Sequence, residues 1–208
     1  MSALRAMFTG LVETVGEVES VTAVGGGLRV RVRTSLAPEL AIGDSVAVNG
    51  CCLTMVELGV DAVSADVGPE TARLTTIGEA VPGRVVNLER SLGAAGRFGG
   101  HFVQGHIDGT GHLTSVREEG EAHWLTIAFP PALAPLLVPK GSIAVDGISL
   151  TVATLEDTTF SVMIIPHTWA HTNLRTLVPG DAVNLECDMI GKYVARALAV
   201  LTPGNPRL

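Results

Sequence analysis

The sequence predicts an all-β protein of two similar halves in tandem, each a small closed barrel or sandwich, followed by a single helix. Three observations carry this. Short runs of alternating polar and apolar residues recur along the chain, separated by Gly, Pro, Asn-Gly and Asp-Gly turns. The chain also repeats itself at an offset of 97 residues: 11 of the 26 positions from 64 to 89 are identical in 161 to 186, where unrelated segments share about one or two. Finally, the stretch from Asp188 to Leu201 carries a helical period and has no counterpart in the first half.

Taken in order, Phe8 to Glu13 is strand-like. Leu28 to Arg33 puts three arginines on one face and Leu28, Val30 and Val32 on the other, the pattern of a strand with one wet side. Ser45 to Asn49, Trp124 to Phe129, Ser142 to Val145 and Phe160 to Ile165 read as strands by the same alternation. Helical turns, one or two each, are expected at Pro38 to Ala41, Thr71 to Gly78, Pro131 to Leu137 and Thr168 to Leu174. In the C-terminal helix Ile190, Tyr193 or Val194, Ala197, Leu198 and Leu201 form one apolar stripe. That stripe either packs back onto its own barrel or mediates self-association. The glycine-rich run from Ala94 to Gly100 divides the halves, giving an N-terminal barrel over 1–98, a C-terminal barrel over 99–187, and a helix with tail over 188–208. Residues beyond Thr202 are expected to fray, and Met7 is expected either to be the natural start or to follow a disordered extension.

Composition narrows the function. Apolar residues make up 47% and charged residues 17%, so both halves can bury a core. A net charge of −7 without any cluster of Lys and Arg argues against nucleic acid or an anionic membrane as partner. No signal-peptide core or spanning apolar stretch occurs, and a cytoplasmic location is expected. The cysteines Cys51, Cys52 and Cys187 have neither metal-site spacing nor an even framework, so free thiols are expected.

Chemistry is sought where the halves differ. His101 and His106 bracket Phe102 to Gly105 at an odd spacing that puts them on opposite faces of an extended strand, which disfavours a shared metal. Aligning Gly105 with Gly10 sets His106 against Leu11, so this histidine breaks the internal symmetry. Cys52 aligns with Ser149, giving two different nucleophile-capable groups at one position; a small buried hydrophobe is the plain alternative for Cys52. Thr54 and Thr151 share the face of Cys52 and Ser149, although strand propensity alone explains them. Lys140 replaces Gly43, and Asn49 and Asp146 fit hairpin turns. The strands ending at Pro69 and Pro166 leave main-chain groups unpaired where a flat heterocycle edge can be read.

Six motifs together resemble the riboflavin synthase alpha-chain family over nearly the whole length: Met7 to Glu13, Asn49-Gly-Cys-Cys-Leu-Thr54, Gly99 to His106, Lys140 to Thr151, Ile165-Pro-His-Thr168 and Asp181 to Asp188. The resemblance implies two six-stranded antiparallel Greek-key barrels of the flavin-binding kind, a C-terminal trimerisation helix and a homotrimer. Each active site would lie between the first barrel of one subunit and the second of a neighbour. The implied reaction is a dismutation in which one 6,7-dimethyl-8-ribityllumazine donates a four-carbon unit to another, yielding riboflavin and 5-amino-6-ribitylamino-uracil without metal or organic cofactor.

Residue by residue, the resemblance places catalytic roles on Phe8, Cys52, His101, His106, Ser149 and Asp188. The first substrate pocket would use Gly10, Leu11, Val12, Ser45, Cys52, Leu53, Thr54 and the run Asp66, Val67, Gly68, Pro69, Glu70, Thr71. The second would use Gly105, His106, Ile107, Lys140, Ser149, Leu150, Thr151 and the run Ile165, Pro166, His167, Thr168, Trp169, Ala170. Ala72 stands where the family commonly has leucine, and Gly191 interrupts the C-terminal helix at a cost of about 1 kcal/mol relative to Ala. The alternatives are a non-catalytic lumazine- or flavin-binding antenna protein, a flavin reductase, which would need a nucleotide-binding motif that this sequence lacks, and a structural interaction module.

Overall fold

A computed structural model describes residues 7–201; the expectations for the first six residues and for the tail beyond Thr202 lie outside the described residues. Six strands make the first half: β1 (Thr14–Val24), β2 (Gly27–Arg33), β3 (Ser45–Val48), β4 (Cys51–Leu58), β5 (Ala62–Val67) and β6 (Val85–Arg90). They close into an antiparallel barrel in the order β1-β2-β5-β4-β3-β6. β3, β4 and β5 follow one another, and β6 returns beside β3, which is the Greek-key arrangement.

The alternation seen in the sequence is what closes this barrel. Val30 and Val32 of β2 point inward with Val18, Val46, Leu53, Met55, Val63 and Leu88, all buried. The outward Arg29 and Arg31 pair with Asp66 at 2.6 Å and Glu19 at 2.9 Å. Such exposed pairs add little stability, so the apolar interior holds the barrel.

The second half repeats the plan with β7 (Gly109–Glu119), β8 (Ala122–Ala128), β9 (Ser142–Val145), β10 (Ile148–Thr151), β11 (Thr154–Leu155), β12 (Thr159–Ile164) and β13 (Ala182–Cys187). Its strand order is β10-β9-β13-β7-β8-β12-β11, a curled sheet of seven. The extra strand comes from a break: β10 and β11 together match β4, and they part at Val152 and Ala153, where β4 carries a bulge between Met55 and Glu57. The break leaves no orphan, since the N–H of Val152 donates to Gly141 and that of Ala153 to Ser161.

The short helices fall where the prolines start them. α1 (Pro69–Leu74) and α2 (Pro166–His171) each begin with Pro at the first turn, where its missing N–H is not needed. Short 3-10 helices at Ala37–Glu39 and Pro131–Leu136 place Ala37 and Leu133 in the two cores. α3 (Met189–Leu201) follows β13, and Tyr193, Val194 and Leu198 on it are exposed. The strand expected at Phe8 to Glu13 begins only at Thr14; before it, a single bridge joins Phe8 to Val103.

The halves dock through a buried polar network with internal two-fold symmetry. In each half an asparagine on the last strand receives the side chain of the hairpin turn: the N–H of Asn87 donates to Asn49 Oδ1 at 2.7 Å, and that of Asn184 to Asp146 Oδ1 at 2.8 Å. Each asparagine also reaches across, Asn87 Nδ2 to the Asp146 carbonyl and Asn184 Nδ2 to the Asn49 carbonyl. Asn173 adds bonds to Asn87 and Asp146, and Thr76 of the first half donates to Asn184. A buried network of this kind sets one relative orientation of the two barrels.

Candidate active site

Two lead-in segments, residues 8–12 before β1 and 103–107 before β7, cross from one half to the other. Val12 packs against the core of the second barrel and Ile107 against the core of the first. Cys52 N–H donates to the Gly105 carbonyl at 3.0 Å, and Ser149 N–H donates to the Gly10 carbonyl at 2.8 Å. Phe8 and Val103 bridge the two segments and are buried with Ala47 and Ala144, with Cys52 packed alongside.

Only glycine permits this approach. Gly10 and Gly105 have φ of 75° and 76°, and a Cβ on Gly105 would stand 2.5 Å from the Cys52 Cβ. Within the chain, Gly105, His106 and Ile107 thus lie on the first-barrel side with Cys52, while Gly10 lies against Ser149 of the second. The cause is the crossing itself, which a position-by-position comparison of the halves does not contain.

On the first-barrel side Cys51, Cys52, Glu70, Thr71, Leu74 and Thr75 surround a cavity of about 180 Å³, closed by Gly105, His106 and Ile107. Leu53 and Val67 point the other way, into the barrel core, and Thr54 is exposed. Asp66 is engaged by Arg29, whose guanidinium holds its carboxyl below the usual range. Gly68 caps α1 and Pro69 opens it. Burial pushes the Cys52 thiol up, the Glu186 charge pushes it the same way, and a hydrogen bond with Ser45 opposes both. Ser45 and Leu11 line a separate groove of about 560 Å³ with Glu13, Glu39, Arg90 and Arg97.

On the second-barrel side His101 Nδ1 lies 2.7 Å from Ser149 Oγ. His101 is 8% exposed, and its Nε2 has no hydrogen-bond partner. Burial lowers its pKa, and the nearby charge of Asp188 works against that shift. Ser149 and His101 thus pair a hydroxyl with an imidazole, with the charge of Asp188 acting on the ring. Lys140 takes a φ of 64°, rare for a side-chain-bearing residue, where the first half has Gly43 at 95°. Its ammonium donates to the Ala153 carbonyl at 3.2 Å. Leu150 packs on the second core and Thr151 is exposed. Ile165 caps α2, which carries Pro166, His167, Thr168, Trp169 and Ala170. Trp169 stacks on His123 at 3.9 Å, a brace with no equivalent at Ala72.

Two residues escaped the sequence reading. Glu89 accepts from the N–H groups of Thr9 and Gly10 and from the Thr9 hydroxyl, at 2.7, 2.9 and 2.8 Å. Glu186, its repeat mate, accepts from the N–H groups of Gln104, Gly105 and His106 at 2.8, 2.9 and 3.2 Å. Burial pushes Glu186 up to about 7 against these hydrogen bonds and the Lys192 charge. The signal was present in Val-Asn-Leu-Glu, which occurs in both halves and places a carboxylate at the end of an otherwise apolar strand.

Comparison with known proteins agrees with this architecture. The lumazine binding domain family matches twice, over residues 9–91 and 104–188. The riboflavin synthase of Bacillus subtilis (strain 168) is 43% identical over 193 residues, covering 92% of this chain and 90% of that protein. That of Mycobacterium tuberculosis is 43% identical over 199 residues, covering 92% and 98%. Among solved structures, LumP complexed with 6,7-dimethyl-8-(1'-D-ribityl) lumazine superposes with a TM-score of 0.78 at 26% identity, covering 86% of this chain and 98% of LumP. LumP complexed with riboflavin gives 0.81 at 25% over the same shares. With the domain matched in both halves and this identity extending over more than nine-tenths of its length, the chain belongs to the riboflavin synthase family.

Proposed function

We propose that this protein catalyses the dismutation of two 6,7-dimethyl-8-ribityllumazine molecules to riboflavin and 5-amino-6-ribitylamino-uracil. The observation that carries the reading is the repeat-equivalent pair Cys52 and Ser149, each covered by the other half's lead-in, in a chain with two lumazine binding domains. Two similar sites with different nucleophiles suit a reaction between two copies of one molecule in different roles. The two substrates balance the two products atom for atom, so the protein's task is to orient two rings and move protons.

His106 takes a proton from the acidic C7 methyl of one lumazine, leaving a delocalised anion that attacks the second ring. Holding the rings in register replaces a bimolecular encounter, an effect worth several kcal/mol, about 7 or more in favourable cases. His101 serves Ser149: with its proton on Nε2, the Nδ1 atom 2.7 Å away takes the hydroxyl proton as Ser149, or a water it holds, adds to a ring. Cys52, in the same cavity wall as His106, is the alternative group that adds to the partner ring, directly or through a water it holds, its proton passing to the ring nitrogen. The main-chain groups at 66–71 and 165–170 read the pyrimidinedione edges, with Thr54, Lys140 and Thr151 at the ribityl chains. The enzyme acts in the cytoplasm as a homotrimer, with the apolar face of α3 at the subunit contact and the first barrel of one subunit facing the second of its neighbour.

The test is direct. Incubated with the lumazine alone, the protein produces riboflavin fluorescence; H106A and C52A slow single turnover while the lumazine still binds. Binding without any riboflavin would instead identify a non-catalytic lumazine- or flavin-binding protein.

A further inference from the structure

Every lead-in that covers a nucleophile is tied down by a carboxylate from its own barrel. Glu186 sits at the end of β13, 1% exposed, and its two oxygens take the three consecutive N–H groups of Gln104, Gly105 and His106. That segment then leaves the second barrel to lie against Cys52 of the first. Glu89 at the end of β6 does the same for Thr9 and Gly10, which lie against Ser149 of the second barrel. Three N–H donors converging on the two oxygens of one side chain form a rigid grip, since releasing any of them leaves a buried donor unsatisfied.

We infer that Glu186 and Glu89 are positioning residues acting crosswise: Glu186 of the second barrel sets the site around Cys52 in the first, and Glu89 of the first sets the site around Ser149 in the second. This rests on the proposed reaction for its kinetic consequence, but not for its structural one. The grip on Gly105 fixes the carbonyl that Cys52 N–H bonds and the backbone from which His106 enters the cavity wall. The grip on Gly10 fixes the carbonyl bonded by Ser149 N–H, whose side chain meets His101. Each half thereby shapes the other's site, so neither barrel is complete alone.

Gln is the informative substitution, because its volume matches Glu while its NH2 opposes an N–H that the carboxylate accepted. Amide hydrogen exchange followed by mass spectrometry of the full-length protein reads the geometry without substrate. In E186Q, exchange is expected to quicken at least tenfold at 104–106 and at Cys52, with Thr9, Gly10 and Ser149 unchanged. In E89Q the pattern is expected to reverse. E186D, which keeps the charge, is expected to restore most of the protection. Both Gln variants should keep the wild-type melting temperature within a few degrees and lose at least tenfold in kcat with a smaller change in KM. Loosening confined to the glutamate's own barrel, equal loosening of both lead-ins in each variant, or unaltered exchange would overturn the inference. If the wild type makes no riboflavin, the exchange pattern still decides the crosswise role, and only the proposed reaction fails.

Discussion

Replacing Gly105 with alanine is the sharpest probe of the crossing lead-ins. An alanine held at the φ of 76° seen at Gly105 carries a strain of about 1–2 kcal/mol. Its methyl would sit 2.5 Å from the Cys52 Cβ and 2.7 Å from the Cys52 nitrogen. Carbon atoms are comfortable at about 3.5–4.0 Å, so the segment must withdraw by about 1 Å. Withdrawal parts the 3.0 Å bond from Cys52 N–H to the Gly105 carbonyl. An unsatisfied buried N–H adds about 1–3 kcal/mol, for a total near 2–5 kcal/mol. Gly25 supplies the control, with a φ of 56° and nothing within 4 Å of an added Cβ. G25A keeps the backbone strain and drops the collision. Urea unfolding of the two variants should differ by about 1–3 kcal/mol, the cost of the parted bond. Riboflavin formation should fall at least tenfold in G105A and stay at the wild-type rate in G25A. Equal stability losses in the two variants would refute the argument that the lead-in is pressed against Cys52.

Two further substitutions test the docking of the halves. Burial pushes Asp146 up to about 6 from an ordinary 3.8, against hydrogen bonds from Asn184 and Asn173 and the Arg84 charge, with Asp181 pushing upward. The folded chain therefore holds this proton more tightly than the unfolded chain, so the group's contribution is full below about pH 4 and is lost as pH rises through about 6. D146N removes the titration; between pH 4 and 7 its stability relative to wild type should improve by about 2 kcal/mol, read from denaturation midpoints at each pH, and a pH-independent difference would count against a buried, proton-binding Asp146. Phe8 is 0% exposed between the two lead-ins and the barrels, so F8A should cost about 3–5 kcal/mol, measured by urea unfolding, whereas a loss below 1 kcal/mol would show that this small cluster does not join the halves.

Most of the fold is legible in the sequence. Val30 and Val32 alternate with arginines because one face of β2 is dry and the other wet, and that pattern survives in sequence whatever the strand pairs with. Asn49-Gly and Asp146-Gly announced their hairpins through local backbone preference. The break between β10 and β11 was not legible, because bulges depend on the neighbouring strands' register more than on residue type. Phe8 to Glu13 looked like a strand by composition, yet part of its backbone hydrogen bonding goes to the Glu89 carboxylate in place of a ladder.

By itself the sequence determined the duplication, the all-β class, the terminal helix and the residue types able to do chemistry, since each depends on local pattern or on similarity between its own halves. Tertiary structure alone decided which of those residues meet. His101 joins Ser149, and His106 joins Cys52, because two short segments cross between barrels under the grip of Glu89 and Glu186. Such crossing pairs residues tens of positions apart through close backbone approach, and no periodicity along the chain records it.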